Sequence, residues 1–130
     1  MQDKVQSDVT AQIADFFASA PDLLSLYCTL EPQLFALGDV TRKLQKTQIS
    51  FSAHRAFAWV WLPIHKVKGR PERYFILSFC LNRQLSSPRI TESLEPYPGR
   101  WMHHLILTAP EEIDEVLLEW LREAYNFGLR

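Results

Sequence analysis

Two of the four histidines, His103 and His104, are consecutive. An imidazole titrates near neutral pH and can serve as general acid, general base or metal ligand. On an extended strand, neighbouring side chains point to opposite faces, so this pair cannot chelate one ion together without a bulge. His54 and His65 stand without an H-E-x-x-H or cysteine-plus-histidine spacing, so no metal is expected. Either His103 or His104 could act as acid or base beside aromatic residues, although an imidazole buried and hydrogen-bonded to backbone is the commoner arrangement. No glycine-rich phosphate loop, nucleophile elbow or dinucleotide fingerprint occurs, and no cofactor is expected.

A second group is Lys46, Thr47 and Gln48. Lys46 and Gln48, two residues apart on a strand, would share a face, and a cross-strand histidine beside them would complete a polar cluster able to hold an anion or carboxylate. The simpler reading, and the favoured one, is a solvated edge strand whose lysine discourages aggregation. Trp59 and Trp61 offer flat stacking surfaces. Basic residues lie before them (Arg42, Lys43, Lys46) and after them (Lys66, Lys68, Arg70, Arg73). Solvated surface explains such runs most simply. If they converged beside the two indoles, they would suit single-stranded nucleic acid. A net charge of -1 gives no global attraction to nucleic acid or to an anionic membrane, so neither is an expected partner. The acids Glu111, Glu112, Asp114, Glu115 and Glu119 fit charge at a helix N-terminus better than carboxylate catalysis.

These residues need elements to position them. Ser7 or Asp8 can cap a first helix with Val9, Ile13, Phe16 and Phe17 at helical spacing. A second helix carries Leu23, Leu26, Tyr27, Leu30, Leu34 and Leu37, ends at Gly38, and is kinked or split by Pro32. Twofold alternation begins at 48–52 and continues through 55–62, 73–81 and 101–108, four strands in a meander. The segment 82–99, with Pro88, Pro96, Pro98 and Gly99, reads as a long loop suited to a lid. Thr108-Ala109-Pro110-Glu111 has the form of a capping box before a C-terminal helix with Ile113, Val116, Leu117, Trp120, Leu121 and Ala124 on one stripe. The expected architecture is α+β: a mainly antiparallel four-stranded sheet with two N-terminal helices and one C-terminal helix packed on one face. One domain is expected over 1–130, with 1–6 a flexible N-terminus.

The middle strands are apolar on both sides. Ala56, Ala58, Val60 and Leu62 mark one face of the second strand, and Phe57, Trp59 and Trp61 the other. Tyr74, Ile76, Ser78 and Cys80 lie behind Phe75, Leu77, Phe79 and Leu81 in the third. A folded-over loop, a second copy of the chain or a pocket would account for the second face. The leading expectation is a non-enzymatic binding or interaction module, a homodimer through the face around Phe57, Trp59, Trp61 and Tyr74. The alternative is a small-ligand or nucleic-acid pocket using Lys46, Gln48 and His104, and a histidine-based enzyme comes third.

With 47% hydrophobic and 22% charged residues in 130, the chain can bury one core. Cys28 and Cys80, without a second pair, fit buried thiols in a reducing compartment. No run approaches the ~18 apolar residues of a membrane span, so a cytoplasmic protein is expected. The motifs Lys46-Thr47-Gln48-Ile49-Ser50-Phe51, Phe57-Ala58-Trp59-Val60-Trp61, His103-His104-Leu105 and Leu121-Arg122-Glu123-Ala124-Tyr125, in that order, resemble an uncharacterised bacterial domain family. That family is found free-standing and as the C-terminal part of predicted transport proteins. The resemblance covers roughly Ser7 to Tyr125. It implies a small α+β fold without an assigned activity, and any site it has would fall at Lys46, Thr47, Gln48 and His104.

Overall fold

The structure, a computed structural model, describes residues 11–63 and 68–130. The expected cap at Ser7 or Asp8, the N-terminal 1–6, and His65 and Lys66 lie outside the described residues. In chain order come α1 (11–16), α2 (Pro21–Phe35), β1 (Thr41–Leu44), β2 (Gln48–Ser52), β3 (Ala56–Trp61), β4 (Phe75–Leu81), β5 (Ile90–Tyr97), β6 (Arg100–Leu107) and α3 (Glu115–Gly128).

The class is α+β, and the four-stranded expectation is corrected. Among the described residues the sheet has six strands in the order β1-β2-β3-β4-β6-β5, all neighbours antiparallel. The two additional strands are its edges. β1 carries Arg42 and Lys43. β5 takes eight residues of the expected lid and carries Glu92, Glu95 and Pro96. An edge strand pairs on one side only, so it tolerates charges and a proline that a central strand would reject. β4 is the opposite case, buried at all seven positions.

One face of the sheet meets the helices. Ile49, Phe51, Val60, Phe75, Leu77, Phe79, Leu105 and Leu107 join Phe17, Leu30, Leu34, Leu117 and Leu121 in a common core. Each fully buried aliphatic or aromatic side chain there contributes about 1.5–3 kcal/mol. α2 starts with Pro21 at a first-turn position, where the missing amide costs nothing. It runs through Pro32 as one helix, not two, and stops at Phe35, short of Gly38. Glu112, rather than Glu111, completes the expected box: its carboxylate accepts from the amides of Thr108 (2.7 Å) and Ala109 (2.8 Å). That box closes a short 3-10 turn, Pro110–Glu112, and α3 begins later, with Asp114 accepting from the Leu117 amide at 3.0 Å. Cys80 is buried but Cys28 is exposed on α2, against the expectation of two buried thiols.

A bulge changes which residues share a face. Phe51 pairs with Ala58, but Ser52 pairs with Ala56, leaving Phe57 as the extra residue. Phe57 therefore turns to the helix side, where its ring meets Tyr125 edge-on at 5.6 Å. It does not join Trp59 and Trp61 as alternation predicted.

Candidate functional site

The face away from the helices carries a transverse row. Ser50, Trp59, Ser78, His104 and Glu92 are register partners across β2, β3, β4, β6 and β5. The row is uneven in size. Ser78, on the central strand, is small, whereas its neighbours on β3 and β6 are an indole and an imidazole. Side chains stand roughly perpendicular to a sheet, so a short residue between tall ones makes a trough. Gln48, Trp59, Trp61, Ser78, Met102 and His104 line it, around an open volume of about 320 Å³.

Polar groups on the floor form a directed chain. The Trp61 indole Nε1–H donates to Ser78 Oγ at 2.8 Å, and Ser78 Oγ lies 2.5 Å from His104 Nδ1. An indole only donates, so the serine oxygen accepts from Trp61, and the His104 tautomer sets the direction of the bond between Ser78 and Nδ1. His104 Nε2 has no hydrogen-bond partner among the described residues. The His104 ring also stands edge-on to Trp61 at 5.8 Å. Burial pushes its pKa below the usual histidine value. Glu92 opposes that shift, and Arg70 adds to it. The imidazole at neutral pH is thus uncharged and offers one donor.

A serine oxygen against an imidazole also resembles a nucleophile–base pair. Three features oppose that chemistry here. The Trp61 N–H already draws on the oxygen's electron density, and Ser78 is only 2% exposed. The flanking strands β3 and β6 take up the backbone ladder around it, leaving no cluster of free amides to receive an oxyanion.

His103 faces the core. It is fully buried, stacks on Phe79 at 5.3 Å, and its Nε2 accepts the Leu85 amide at 2.9 Å. That bond fastens the crossover linking β4 to β5, which Arg83 also ties to α3 through two bonds to Glu123. Burial lowers its pKa, against the backbone of Phe79 and Trp101, which favours the charged ring.

Of the residues singled out from sequence, Gln48, Trp59, Trp61 and His104 come together. Lys46 and Thr47 do not: both are exposed in the turn between β1 and β2, so Lys46 shares no strand face with Gln48. The Gln48 amide instead reaches Gln45 at 2.7 Å. Among the described residues, Arg42 and Arg73 do not gather at the indoles either. Arg42 pairs with Glu31 at 2.7 Å and Arg73 with Asp22 at 2.5 Å, both on α2, while Arg70 lies over the Tyr74 ring. Ser78 and Met102 were missed as site residues. The signal for Ser78 was a lone hydroxyl in the centre of an otherwise apolar strand. Among the described residues no group of three histidines, cysteines or carboxylates is placed to hold a metal, and no helix is long and apolar enough to cross a membrane.

Residues 13–128 match the family described as a domain of unknown function (DUF5655). The chain belongs to this family. DUF5655 membership agrees with the uncharacterised family that the ordered motifs suggested, over nearly the same span, and it carries neither a host lineage nor a transport context. No curated protein and no solved structure matches this DUF5655 chain.

Proposed function

We propose that the chain is a non-catalytic binding module whose trough takes a small, flat, mainly apolar organic molecule. The observation that carries this reading is the lining. Two half-buried indoles form one wall, Met102 and His104 the other, and the ring nitrogen His104 Nε2 is left without a partner among the described residues. Ligand sites are typically apolar concavities of about 300–1,000 Å³ with a few placed polar groups. Trp59 and Trp61 offer stacking area at little entropic cost, since each has two side-chain torsions.

Titration with the neutral dye phenylnaphthylamine tests this. Saturable one-to-one binding is expected, weakened at least about tenfold, or roughly 1.4 kcal/mol, in Trp59→Ala. Binding that ignores Trp59→Ala, or no saturable binding, would contradict it. A homodimer closing the same face is the second reading. It is favoured by Leu94 and Tyr97 on β5, which are 49% and 67% exposed, with Leu94 opposite Met102 in register. Light scattering across a dilution series separates the two. The ligand reading expects the mass of one chain throughout, whereas a stable dimer abolished by Trp59→Asp supports the second.

A further inference from the structure

Arg42, Arg73, Arg83 and Arg89 each have a carboxylate partner. Arg55, Arg100 and Arg130 have none among the described residues, yet they converge. Together with Ala56, Phe57, Cys80, Phe127 and Gly128 they line a small cavity of about 20 Å³, room for one water-sized group. The Arg100 and Arg130 guanidiniums lie over the same Phe127 ring, 5.8 and 5.4 Å from its centroid. Stacking of this kind restrains the planar groups while leaving their N–H edges available. The end of α3 is held here by the Arg55 amide, which donates to the Gly128 carbonyl at 2.7 Å. The approach is close: a Cβ at 128 would stand 3.0 Å from the Arg55 carbonyl oxygen and 3.1 Å from Phe57 Cβ, so its neighbours would have to give by a few tenths of an ångström.

The location gives the cluster its meaning. Cys80 of this cavity is the register partner of Met102 of the trough and follows Ser78 by two residues on β4. Two strand residues span about 7 Å, so Cys80, which lines the arginine cavity, lies within one short substituent of a ring system over Ser78. Among the described residues none of the three forms an ion pair with a carboxylate, and an oxyanion among them would satisfy forked N–H donors. We infer that the trough's ligand is an aromatic molecule bearing an anionic group, a sulfonate, phosphate or carboxylate, which Arg55, Arg100 and Arg130 hold at the end of the sheet. This rests on the trough being a ligand site.

Two dyes with the same aromatic body test it: anilinonaphthalene sulfonate, and phenylnaphthylamine, which lacks the sulfonate. Fluorescence titration of the full chain is expected to show the sulfonate dye binding at least about tenfold tighter. Inorganic phosphate should displace it and leave the neutral dye in place. The Arg55→Gln/Arg100→Gln double variant, with near-UV circular dichroism confirming its packing, should bring the two affinities together without weakening the neutral dye. Arg100→Lys, which keeps the charge and loses the fork, should fall between. Trp59→Ala should weaken both dyes. Equal affinities in the parent chain, or an advantage that survives the double variant, overturn the anion site and leave the trough reading standing if Trp59→Ala still weakens both. Dye binding indifferent to Trp59→Ala overturns the trough reading and this inference with it.

Discussion

At consecutive positions of β6 the same side chain meets two different surroundings. His103 lies among helices and strands, fully buried and stacked on Phe79, with Nε2 bonded to the Leu85 amide and Nδ1 buried without a partner among the described residues. His104 looks the other way, tied by Nδ1 to Ser78 and lining the trough. The contrast extends to the faces themselves. Toward the helices, Phe75, Leu77 and Phe79 of β4 fill the space completely, whereas Ser78 and Cys80 on the other side are small and leave the taller residues of β3 and β6 standing around them. A face that is full has no room to bind. A face with a short central row and tall flanks does.

The sharpest way to break this contrast is at His103. His103→Ala should cost about 3 kcal/mol of unfolding free energy, because it opens a cavity and strands the Leu85 amide. His104→Ala should cost about 1 kcal/mol, since the rim meets water. Urea denaturation checks both, and equal costs would deny the two faces their different roles. Ser78→Ala comes next, at about 1–2 kcal/mol, because Trp61 Nε1–H loses its buried acceptor. Retained Trp61 indole proton protection in that variant would contradict the relay.

Acid acts on both histidines in the same sense. Each ring's pKa is lowered on folding from the usual 6.5, so the unfolded chain binds protons that the folded one refuses. Stability is therefore full above about pH 6.5 and falls as pH drops toward the lowered values, by at most about 1.4 kcal/mol per pH unit for each ring. His104→Gln should reduce this loss between pH 7 and 5 without removing it, with His103 supplying the remainder. A stability profile flat over that interval would contradict both burials. The smallest effect belongs to the outer edge. Tyr97→Ser on β5, where the ring is 67% exposed, should change stability by no more than about 0.5 kcal/mol.

Much of this organisation was legible in the residues, and what was not has physical causes. β2, β3, β4 and β6 announce themselves by alternating or continuous apolar residues, and α3 by its stripe. The edges β1 and β5 were hidden by the features that suit an edge: Arg42, Lys43, Glu92, Glu95 and Pro96 resemble loop residues because only one side of each strand is paired. The bulge at Phe57 was invisible, since twofold alternation carries no mark of an inserted residue. Trp59, Trp61, Gln48 and His104 could be picked out by type and face. Lys46 and Thr47 could not be rejected, because whether a turn falls at 45–47 depends on β1 being a strand. Ser78 gains significance only from its neighbours on β3 and β6, and Met102 only from β6 lying beside β4, an order that the crossover between β4 and β5 decides.

The central claim, that binding belongs to the open face, is tested most directly by the indole N–H resonances of the four tryptophans during titration with phenylnaphthylamine. Trp59 and Trp61 line the trough, whereas Trp120 stacks on Phe79 and Trp101 is the register partner of core residue Leu81. The account predicts that the Trp59 and Trp61 signals shift saturably together while those of Trp101 and Trp120 stay fixed. Shifts at Trp101 or Trp120 with Trp59 and Trp61 unmoved would contradict it.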